Sequence, residues 1–345
     1  MKPTIRDVAR AAGVSVSTVS RHLNGNRGVN PISVAKIEKA IKECGYTPNA
    51  AARSLKSNKT YTIGLIVSDI ANPFFMHAAK SIEDVISQYN YNLIICGSNE
   101  DWEKELKCLR MLREKCVDGI IISPTGKSGS LLTDLNQSGM PVVVIDREYD
   151  IKDADMIIED NRASGCQLAE VLIKNGHRRI AVLKGSSNSI TSKQRFEGVC
   201  SAVRQYGLDP DQVLITENCN DEAGACLSSE RIFSMEPKPT ALIALNPRLV
   251  NGFIMYANKN RIRIPRDVSL TGIVLKQNNV IYPNPITCIE QTPDELGYKA
   301  GELIIKRLSL KGKNPPAPAR YVFEKKLTIG ETVAKVRSKS DSKDE

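Results

Sequence analysis

The chain has 345 residues and a mass of 38.0 kDa, which is more than one ordinary domain and enough for two or three. Hydrophobic residues make up 41% and charged residues 25%, as in globular proteins, so the composition excludes wholesale disorder. No apolar run approaches the roughly 18 residues of a membrane span, and no apolar signal segment follows the N-terminus. Nine scattered cysteines without a CxxC pair indicate reduced thiols, so we expect a cytoplasmic protein without a membrane partner.

The positive charge is concentrated at one end of the chain. The formal net charge is +9. Residues 1–60 hold eleven basic and three acidic residues and carry +8 of it, whereas the remaining 285 residues carry +1. A compact basic segment of this kind predicts nucleic-acid binding. The alternative is a basic tail, but the segment has a hydrophobic pattern and is not of low complexity.

The basic segment predicts four helices in chain order. Thr4 is a candidate N-cap, Asn30-Pro31 is a strong helix start, and Gly13 and Gly45 are helix ends. Only Gly13 and Val14 separate the first helix from Ser15, which is the candidate cap of the second. The predicted helices cover about residues 5–12, 16–23, 31–44 and 49–57, and residues 57–60 form a joint.

Two helices joined by a tight turn, the second polar on its outer face, form a helix-turn-helix, which lays its second helix in the DNA major groove. Arg21 is long enough to reach the O6 and N7 acceptors of a guanine. The alternative is a small helical domain with a solvated polar face. The residues that we predict at the DNA are Thr4, Val16, Ser17, Thr18, Ser20, Arg21, Asn24, Asn30 and Tyr46, with Asn49, Arg53, Leu55 and Lys56 in the fourth stretch.

The fourth stretch is too short to be a stable helix in water, so we expect it to order only against a partner. Leu55 is a large apolar residue with nothing local to pack on, and Arg53 and Lys56 flank it. This pattern fits a minor-groove wedge with phosphate contacts beside it. A plain linker, in which Leu55 touches the next domain, is an equal alternative.

From Tyr61 onward, short β-rich runs alternate with helical stretches, which predicts open parallel α/β architecture and enough strands for two sheets. No tandem repeat is present, and the tail after about Val333 is expected to be disordered. The predicted strands are Thr62–Val67, Asn92–Cys96, Gly119–Ser123, Val142–Ile145, Met156–Ile158, Arg179–Leu183, Val213–Thr216, Thr240–Leu245, Val268–Thr271 and Pro285–Ile289. The predicted helices lie near 76–89, 102–115, 162–175, 192–206, 222–234, 248–259 and 293–309.

Several motifs resemble, in order, those of the LacI/GalR family of bacterial repressors. The headpiece and hinge motifs are Thr4-Ile5-Arg6-Asp7-Val8-Ala9, Ala12-Gly13-Val14-Ser15, Ser17-Thr18-Val19-Ser20-Arg21, Gly45-Tyr46-Thr47-Pro48-Asn49 and Ala52-Arg53-Ser54-Leu55. The later motifs are Ile63-Gly64-Leu65-Ile66-Val67, Asn72-Pro73-Phe74-Phe75, Val117-Asp118-Gly119-Ile120-Ile121, Pro141-Val142-Val143-Val144-Ile145-Asp146, Asn175-Gly176-His177-Arg178-Arg179-Ile180-Ala181, Arg195-Phe196-Glu197-Gly198, Pro239-Thr240-Ala241 and Pro265-Arg266-Asp267-Val268-Ser269-Leu270.

The resemblance implies an all-α headpiece with a hinge helix and an α/β periplasmic-binding-protein-like sensor of two doubly wound parallel-sheet sublobes. It also implies a dimer and a small effector in the cleft between the sublobes. The expected boundaries are 1–48 for the headpiece, 49–60 for the hinge helix and linker, 61–332 for the sensor and 333–345 for the tail.

Carried over position by position, the cleft contacts of the family fall on Phe74 or Phe75, Asp146, Asp160, Thr191, Arg195, Asn246 and Gln291. Carboxylates, amides and an arginine fix sugar hydroxyls, and aromatic rings cover an apolar face. Each residue also has a structural alternative. Asp160 is a candidate helix cap, Arg195 a solvated helix residue, and the two phenylalanines core residues.

Two departures from the family concern the charge of the cleft. Pro247 and Val274 stand where the family usually places aspartates, and Arg147 follows Asp146. We therefore expect the cleft to lose acidity and gain positive charge, which favours an anionic effector such as a sugar acid or sugar phosphate that contacts Arg195 and Arg147. The alternative is the loss of small-ligand sensing.

Enzyme signals are weak. Gly126-Lys127-Ser128 lacks the earlier glycine of a phosphate loop, no GxG motif occurs, and the three histidines are isolated, so we expect no catalysis, no metal and no cofactor. We expect a cytoplasmic homodimeric repressor that binds a roughly palindromic double-stranded operator and responds to a small sugar-derived effector. The alternatives are a regulator with an inert cleft under the control of a protein partner and, less favoured, a solute-binding protein.

Overall fold

The computed structural model describes residues 3–23, 28–47, 59–149, 151, 154–279, 282, 284–310 and 316–336. The chain divides into two compact units, residues 1–60 and 61–345.

The described residues of the first unit form three helices, α1 (Ile5–Ala12), α2 (Val16–Leu23) and α3 (Pro31–Cys44). Their ends follow from local chemistry. The Asp7 carboxylate accepts hydrogen bonds from the backbone N–H and the hydroxyl of Thr4 at 2.9 and 2.7 Å, and α1 ends at Gly13, whose φ is +63°. The three helices bury a small common core that includes Val8, Val19 and Ile37.

In the described part of the second unit, the strands form two six-stranded sheets. The strands are β1 (Thr62–Val67), β2 (Asn92–Gly97), β3 (Gly119–Ile122), β4 (Val142–Asp146), β5 (Asp155–Glu159), β6 (Ile180–Leu183), β7 (Leu214–Glu217), β8 (Ala241–Ala244), β9 (Ser269–Leu275), β10 (Thr287–Gln291), β11 (Arg320–Phe323) and β12 (Leu327–Thr328). The first sheet has the order β11-β5-β4-β3-β1-β2 and is parallel. The second has the order β12-β10-β9-β8-β6-β7 and is parallel except for the β10–β12 pair.

Helices follow most strands and cover both faces of each sheet. They are α4 (Pro73–Ser87), α5 (Trp102–Glu114), α6 (Gly129–Gln137), α7 (Asn161–Lys174), α8 (Ile190–Gln205), α9 (Pro210–Val213), α10 (Glu222–Phe233), α11 (Pro247–Lys259), α12 (Lys276–Asn279) and α13 (Pro293–Ser309). In β1, Ile63 and Leu65 pack into one apolar cluster of the first lobe and Ile66 packs into the other. Burial on both faces explains why the strands of a parallel sheet are continuous apolar runs.

The chain passes three times between the two lobes that these sheets form, after β5, after β10 and after β11. The first lobe therefore holds β1–β5 and β11, and the second holds β6–β10 and β12. Ligand sites in open α/β sheets lie beyond the carboxyl ends of the strands. The topology thus places the segments that follow the strands of both lobes at one cleft.

The predicted α/β architecture with two parallel-dominated sheets is confirmed, but the expected disorder of the tail is wrong for residues 333–336. The Ala334 N–H donates to the Ser269 hydroxyl at 3.0 Å, and the Val336 N–H donates to the Asn175 carbonyl at 2.9 Å. These hydrogen bonds fix the segment to the second lobe. Residues 337–345 lie outside the described part of the chain.

Candidate functional site

The outer face of α2 is polar and accessible. Val19 points into the core with no exposed surface, whereas Ser17 and Arg21 are exposed and Val16 retains 42% of its surface. The Ser15 hydroxyl lies 2.7 Å from the hydroxyls of both Ser17 and Thr18. The helix therefore presents hydroxyl groups and one guanidinium, which are groups that read base edges in the major groove.

The other residues that we predict at the DNA differ in their exposure to solvent. Thr4 and Asn30 are exposed and cap α1 and α3, and the Asn30 side chain accepts a hydrogen bond from the Ile32 N–H at 2.9 Å. Tyr46 is half-buried and packs against the core of the first unit, and Ser20 is half-buried on α2. The predictions for Asn24, Asn49, Arg53, Leu55 and Lys56 lie outside the described residues.

The cleft between the lobes encloses a cavity of about 710 Å³. Its polar lining follows the carboxyl ends of strands in both sheets, as the topology requires. The lining residues are Ser68, Asp69, Asn72, Phe74, Phe75, Asn99, Glu100, Asp101, Trp102, Asp146, Arg147, Ser186, Asn188, Ser189, Thr191, Ser192, Arg195, Asn220, Asp221, Asn246, Pro247, Arg248 and Gln291.

The structure brings the predicted cleft residues together, except for Asp160. The Asp160 carboxylate caps α7 by accepting a hydrogen bond from the Ala163 N–H at 2.9 Å, and it does not line the cavity. Phe74 and Phe75 line the cavity but are only 3% exposed, and they pack edge to face within the core of the first lobe. They therefore form the apolar floor of the cleft more than an open binding surface.

Arg195 is buried in the cleft, so it is not the solvated helix residue of the alternative interpretation. Its Nε donates to the Asn161 side-chain oxygen at 2.7 Å, and its Nη1 donates to the Leu245 carbonyl at 2.8 Å. The nearest Glu159 carboxylate oxygen is 4.0 Å from Nη2. Burial lowers the pKa of the Arg195 guanidinium, and the negative charges of Glu159 and Asp146 offset this effect only in part.

The expectation that Arg147 adds free positive charge to the cleft is wrong. Its side chain is 2% exposed, and both terminal nitrogens donate to the Glu100 carboxylate, one of them at 2.7 Å. A third hydrogen bond reaches the Pro124 carbonyl at 3.1 Å. The neighbouring Asp146 is also buried, and burial raises the pKa of its carboxyl group. The Glu100 carboxylate thus neutralises the arginine within the first lobe.

The cavity lining also contains residues that sequence reasoning missed, and among them are Asp69, Trp102, Asp221 and Arg248. The signal that was available is their position, since the first three follow β1, β2 and β7 and Arg248 opens the helix after β8. With them, the lining contains the carboxylates of Asp69, Glu100, Asp101, Asp146 and Asp221 and the guanidinium groups of Arg147, Arg195 and Arg248. The cleft therefore contains more carboxylates than cations.

The two departures from the family have simple structural roles. Pro247 is the first residue of α11, where a proline needs no hydrogen-bond donor, and Asn246 caps that helix. Val274 is fully buried in β9 and does not line the cavity. Within the described residues, no group of three or more His, Cys, Asp or Glu side chains is placed to hold a metal ion, and no helix is long and apolar enough to span a membrane.

Two family models match the chain in the order of its units. Residues 4–49 match bacterial regulatory proteins of the lacI family, and residues 60–321 match periplasmic binding proteins and the sugar-binding domain of the LacI family. The second match covers most of the chain.

Individual proteins agree with the family models. The chain is 34% identical to the HTH-type transcriptional repressor PurR of Vibrio parahaemolyticus serotype O3:K6 (strain RIMD 2210633), over 96% of this chain and 99% of that repressor. A LacI-family regulator from Silicibacter pomeroyi superposes with a TM-score of 0.84 at 26% identity, over 96% and 99% of the two chains. A LacI-family regulator from Enterococcus faecium with bound ribose superposes with a TM-score of 0.72 at 25% identity, over 80% and 100%.

The members of this family are transcriptional regulators rather than enzymes. The chain therefore belongs to the LacI family of bacterial regulatory proteins, as a DNA-binding transcriptional repressor regulated by a ligand in its sugar-binding domain.

Proposed function

We propose that this repressor acts as a homodimer on a roughly palindromic operator, with one α2 helix in the major groove of each half-site. The observation that carries this proposal is the orientation of α2, which buries Val19 and leaves Ser17 and Arg21 exposed. A two-fold symmetric dimer reads half-sites whose symmetry matches its own. The concentration of +8 of the +9 charge in residues 1–60 supports DNA binding by the same segment.

We further propose that the regulating ligand is a small carbohydrate-type molecule without net charge, bound between the lobes. Amide and hydroxyl groups of the cleft, such as those of Asn246, Gln291 and Thr191, suit sugar hydroxyls. Carboxylates outnumber guanidinium groups in the lining, and Glu100 neutralises Arg147, so a sugar acid or sugar phosphate meets little uncompensated positive charge. The ribose bound to the Enterococcus faecium regulator supports a sugar as the kind of ligand.

Calorimetric titration of the full chain with matched pairs, such as ribose and ribose 5-phosphate, tests the charge of the ligand. We expect binding of a neutral member of the panel and weak or no binding of its phosphate. Tight binding of the charged members alone would contradict this proposal and support an anionic effector instead. If no member of a broad sugar panel bound, the carbohydrate assignment would fail, and the cleft would be inert towards sugars.

Selection of genomic DNA fragments by the purified chain, followed by footprinting, tests the operator proposal. We expect a protected site with two inverted half-sites and two protein chains bound per site. A protected site without inverted symmetry, or a single bound chain, would contradict the dimeric arrangement.

A further inference from the structure

We propose that Arg248 is a positioning residue that holds the two lobes together across the cleft in the effector-free protein, through an ion pair with Asp69. Arg248 Nη1 lies 3.2 Å from Asp69 Oδ2. Asp69 belongs to the first lobe and Arg248 to the second, and both line the cavity. The pair therefore joins the lobes at the cleft itself, through two residues that do not belong to the three connecting segments.

The Asp69 carboxylate is fixed by its own turn. Its Oδ1 accepts a hydrogen bond from the Ala71 N–H at 2.8 Å, which leaves Oδ2 for the guanidinium. Asn72, three residues after Asp69, caps α4 by accepting a hydrogen bond from the Phe74 N–H at 3.1 Å. The first lobe thus presents one carboxylate oxygen in a defined direction.

The guanidinium is fixed in the second lobe. Arg248 Nε donates to Glu222 Oε2 at 2.9 Å, and Nη2 lies 2.8 Å from the same oxygen. These contacts occupy one edge of the guanidinium and leave Nη1 for Asp69. A side chain that is already ordered loses less conformational entropy when it forms the contact between the lobes.

A glycine explains why Arg248 and Glu222 meet. At Gly252, one turn after Arg248 on the same face of α11, an added Cβ would lie 2.4 Å from the Glu222 carbonyl oxygen and 2.5 Å from the Ala225 Cβ. The absence of a side chain at this position lets α11 approach α10 closely. The close approach of the two helices therefore brings the Arg248 guanidinium beside the Glu222 carboxylate.

The ion pair favours the closed cleft before any effector arrives. The Arg248 and Asp69 side chains retain 24% and 37% of their surface, so the pair is weakened by salt and contributes a modest bias to the closed state. If the effector binds the closed form, the bias raises its apparent affinity by increasing the competent fraction. The distance between the lobes is then set by the protein as well as by its ligand.

Acrylamide quenching of Trp102 fluorescence measures this closure in the full chain without any effector. Trp102 is the sole tryptophan of the sequence, and it lines the cavity with 40% of its surface exposed. We expect quenching of the wild-type protein to rise with sodium chloride as the ion pair is screened. Arg248→Gln and Asp69→Asn should each raise the ratio of open to closed molecules about two- to fivefold at low salt.

The double variant Asp69→Asn/Arg248→Gln should match either single variant, since both remove the same contact. Each variant should also lose the salt response. Arg263→Gln is the matched control, because it breaks an ion pair with Asp267 that lies wholly within the second lobe, and it should behave like the wild type. A wild-type protein without a salt response, additive single effects, or an equal change in Arg263→Gln would overturn the proposal.

Discussion

Arg21 is the residue on which sequence-specific binding is expected to depend most. Its side chain is exposed on α2, one turn beyond the exposed Ser17. Arg21→Ala should weaken binding to the selected operator by about 1–3 kcal/mol and relax the sequence preference, as the loss of a base contact does. Equilibrium binding to operator and to random DNA at one salt concentration measures both effects. Arg10→Ala, an exposed arginine of α1, is the control. Equal losses on both DNAs would instead identify Arg21 as a phosphate contact.

His177 is expected to make stability depend on pH. Its Nε2 donates to the Ala334 carbonyl at 3.0 Å, so Nδ1 is left to accept from the Thr240 hydroxyl at 2.8 Å. Burial lowers the pKa of this imidazole from its ordinary value of 6.5, so the folded protein keeps it neutral. The unfolded chain binds the proton first as the pH falls through 6.5. The free energy of unfolding should therefore decrease below that pH, by up to about 1.4 kcal/mol per pH unit.

Urea denaturation of wild type and His177→Gln between pH 7.5 and 5.5 checks this sign. The variant should be less stable than wild type at pH 7.5 and should lose less stability on acidification. An unchanged slope in His177→Gln would show that other groups cause the acid sensitivity.

In the cleft, the positions of some residues could be predicted from the sequence, but the pairing of their charges could not. Arg195 and Gln291 line the cavity, where the family resemblance leads us to expect them. The charge of Arg147 was misjudged because its partner, Glu100, stands 47 positions earlier, after a different strand. A sequence shows which charges exist, but pairing across strand ends depends on the order of strands in the sheet.

At the scale of elements, α7 and α8 pack so closely that a side chain added at their contact should destabilise the fold. At Gly198 an added Cβ would lie 2.0 Å from the Arg162 carbonyl oxygen, and at Gly165 it would lie 1.8 Å from the Arg195 carbonyl oxygen. Gly198→Ala should force the helices apart and lower the free energy of unfolding by about 1–3 kcal/mol. Thermal and urea denaturation measure the loss. The control is Gly28→Ala, where an added Cβ meets nothing within 4 Å. Wild-type stability of Gly198→Ala would contradict this packing.

Elements with a strong local signal were predictable, and those that depend on distant partners were not. The bounds of Thr62–Val67 agree with β1, because a buried parallel strand is a continuous apolar run. The helix Gly129–Gln137 was missed because it is short and opens with Gly-Ser. The edge strand Arg320–Phe323 forms by pairing with β5, which lies more than 150 residues earlier in the chain. A local sequence pattern cannot predict a pairing at this separation.

At the scale of the whole molecule, one carboxylate lies where the three lobe-connecting segments meet. Glu159 ends β5, and its Oε2 accepts a hydrogen bond from the Gln291 amide at the end of β10 at 3.0 Å. Lys325, which follows β11, lies 3.7 Å from Oε1. Arg195 also approaches this carboxylate from the second lobe. Gln291 and Arg195 also line the cavity, so the segments that connect the lobes and the cleft share one cluster of charged and hydrogen-bonded side chains.

Because residues 1–60 carry almost all of the net charge, we expect the salt dependence of DNA binding to come from this segment and not from the sensor. Operator affinity of the full chain should fall by about a thousandfold or more between 50 and 200 mM salt, since counterions are released from the phosphates that the basic segment neutralises. Replacing the exposed Lys36 and Lys42 of α3 by glutamine should weaken binding at low salt and matter less at high salt. The matched change at Lys193 and Lys238, exposed in the second lobe, should leave the salt dependence unchanged, because residues 61–345 carry almost no net charge. Fluorescence anisotropy of labelled operator over a salt series measures the slopes, and an equal effect of the two double variants would show that the sensor contributes to DNA attraction.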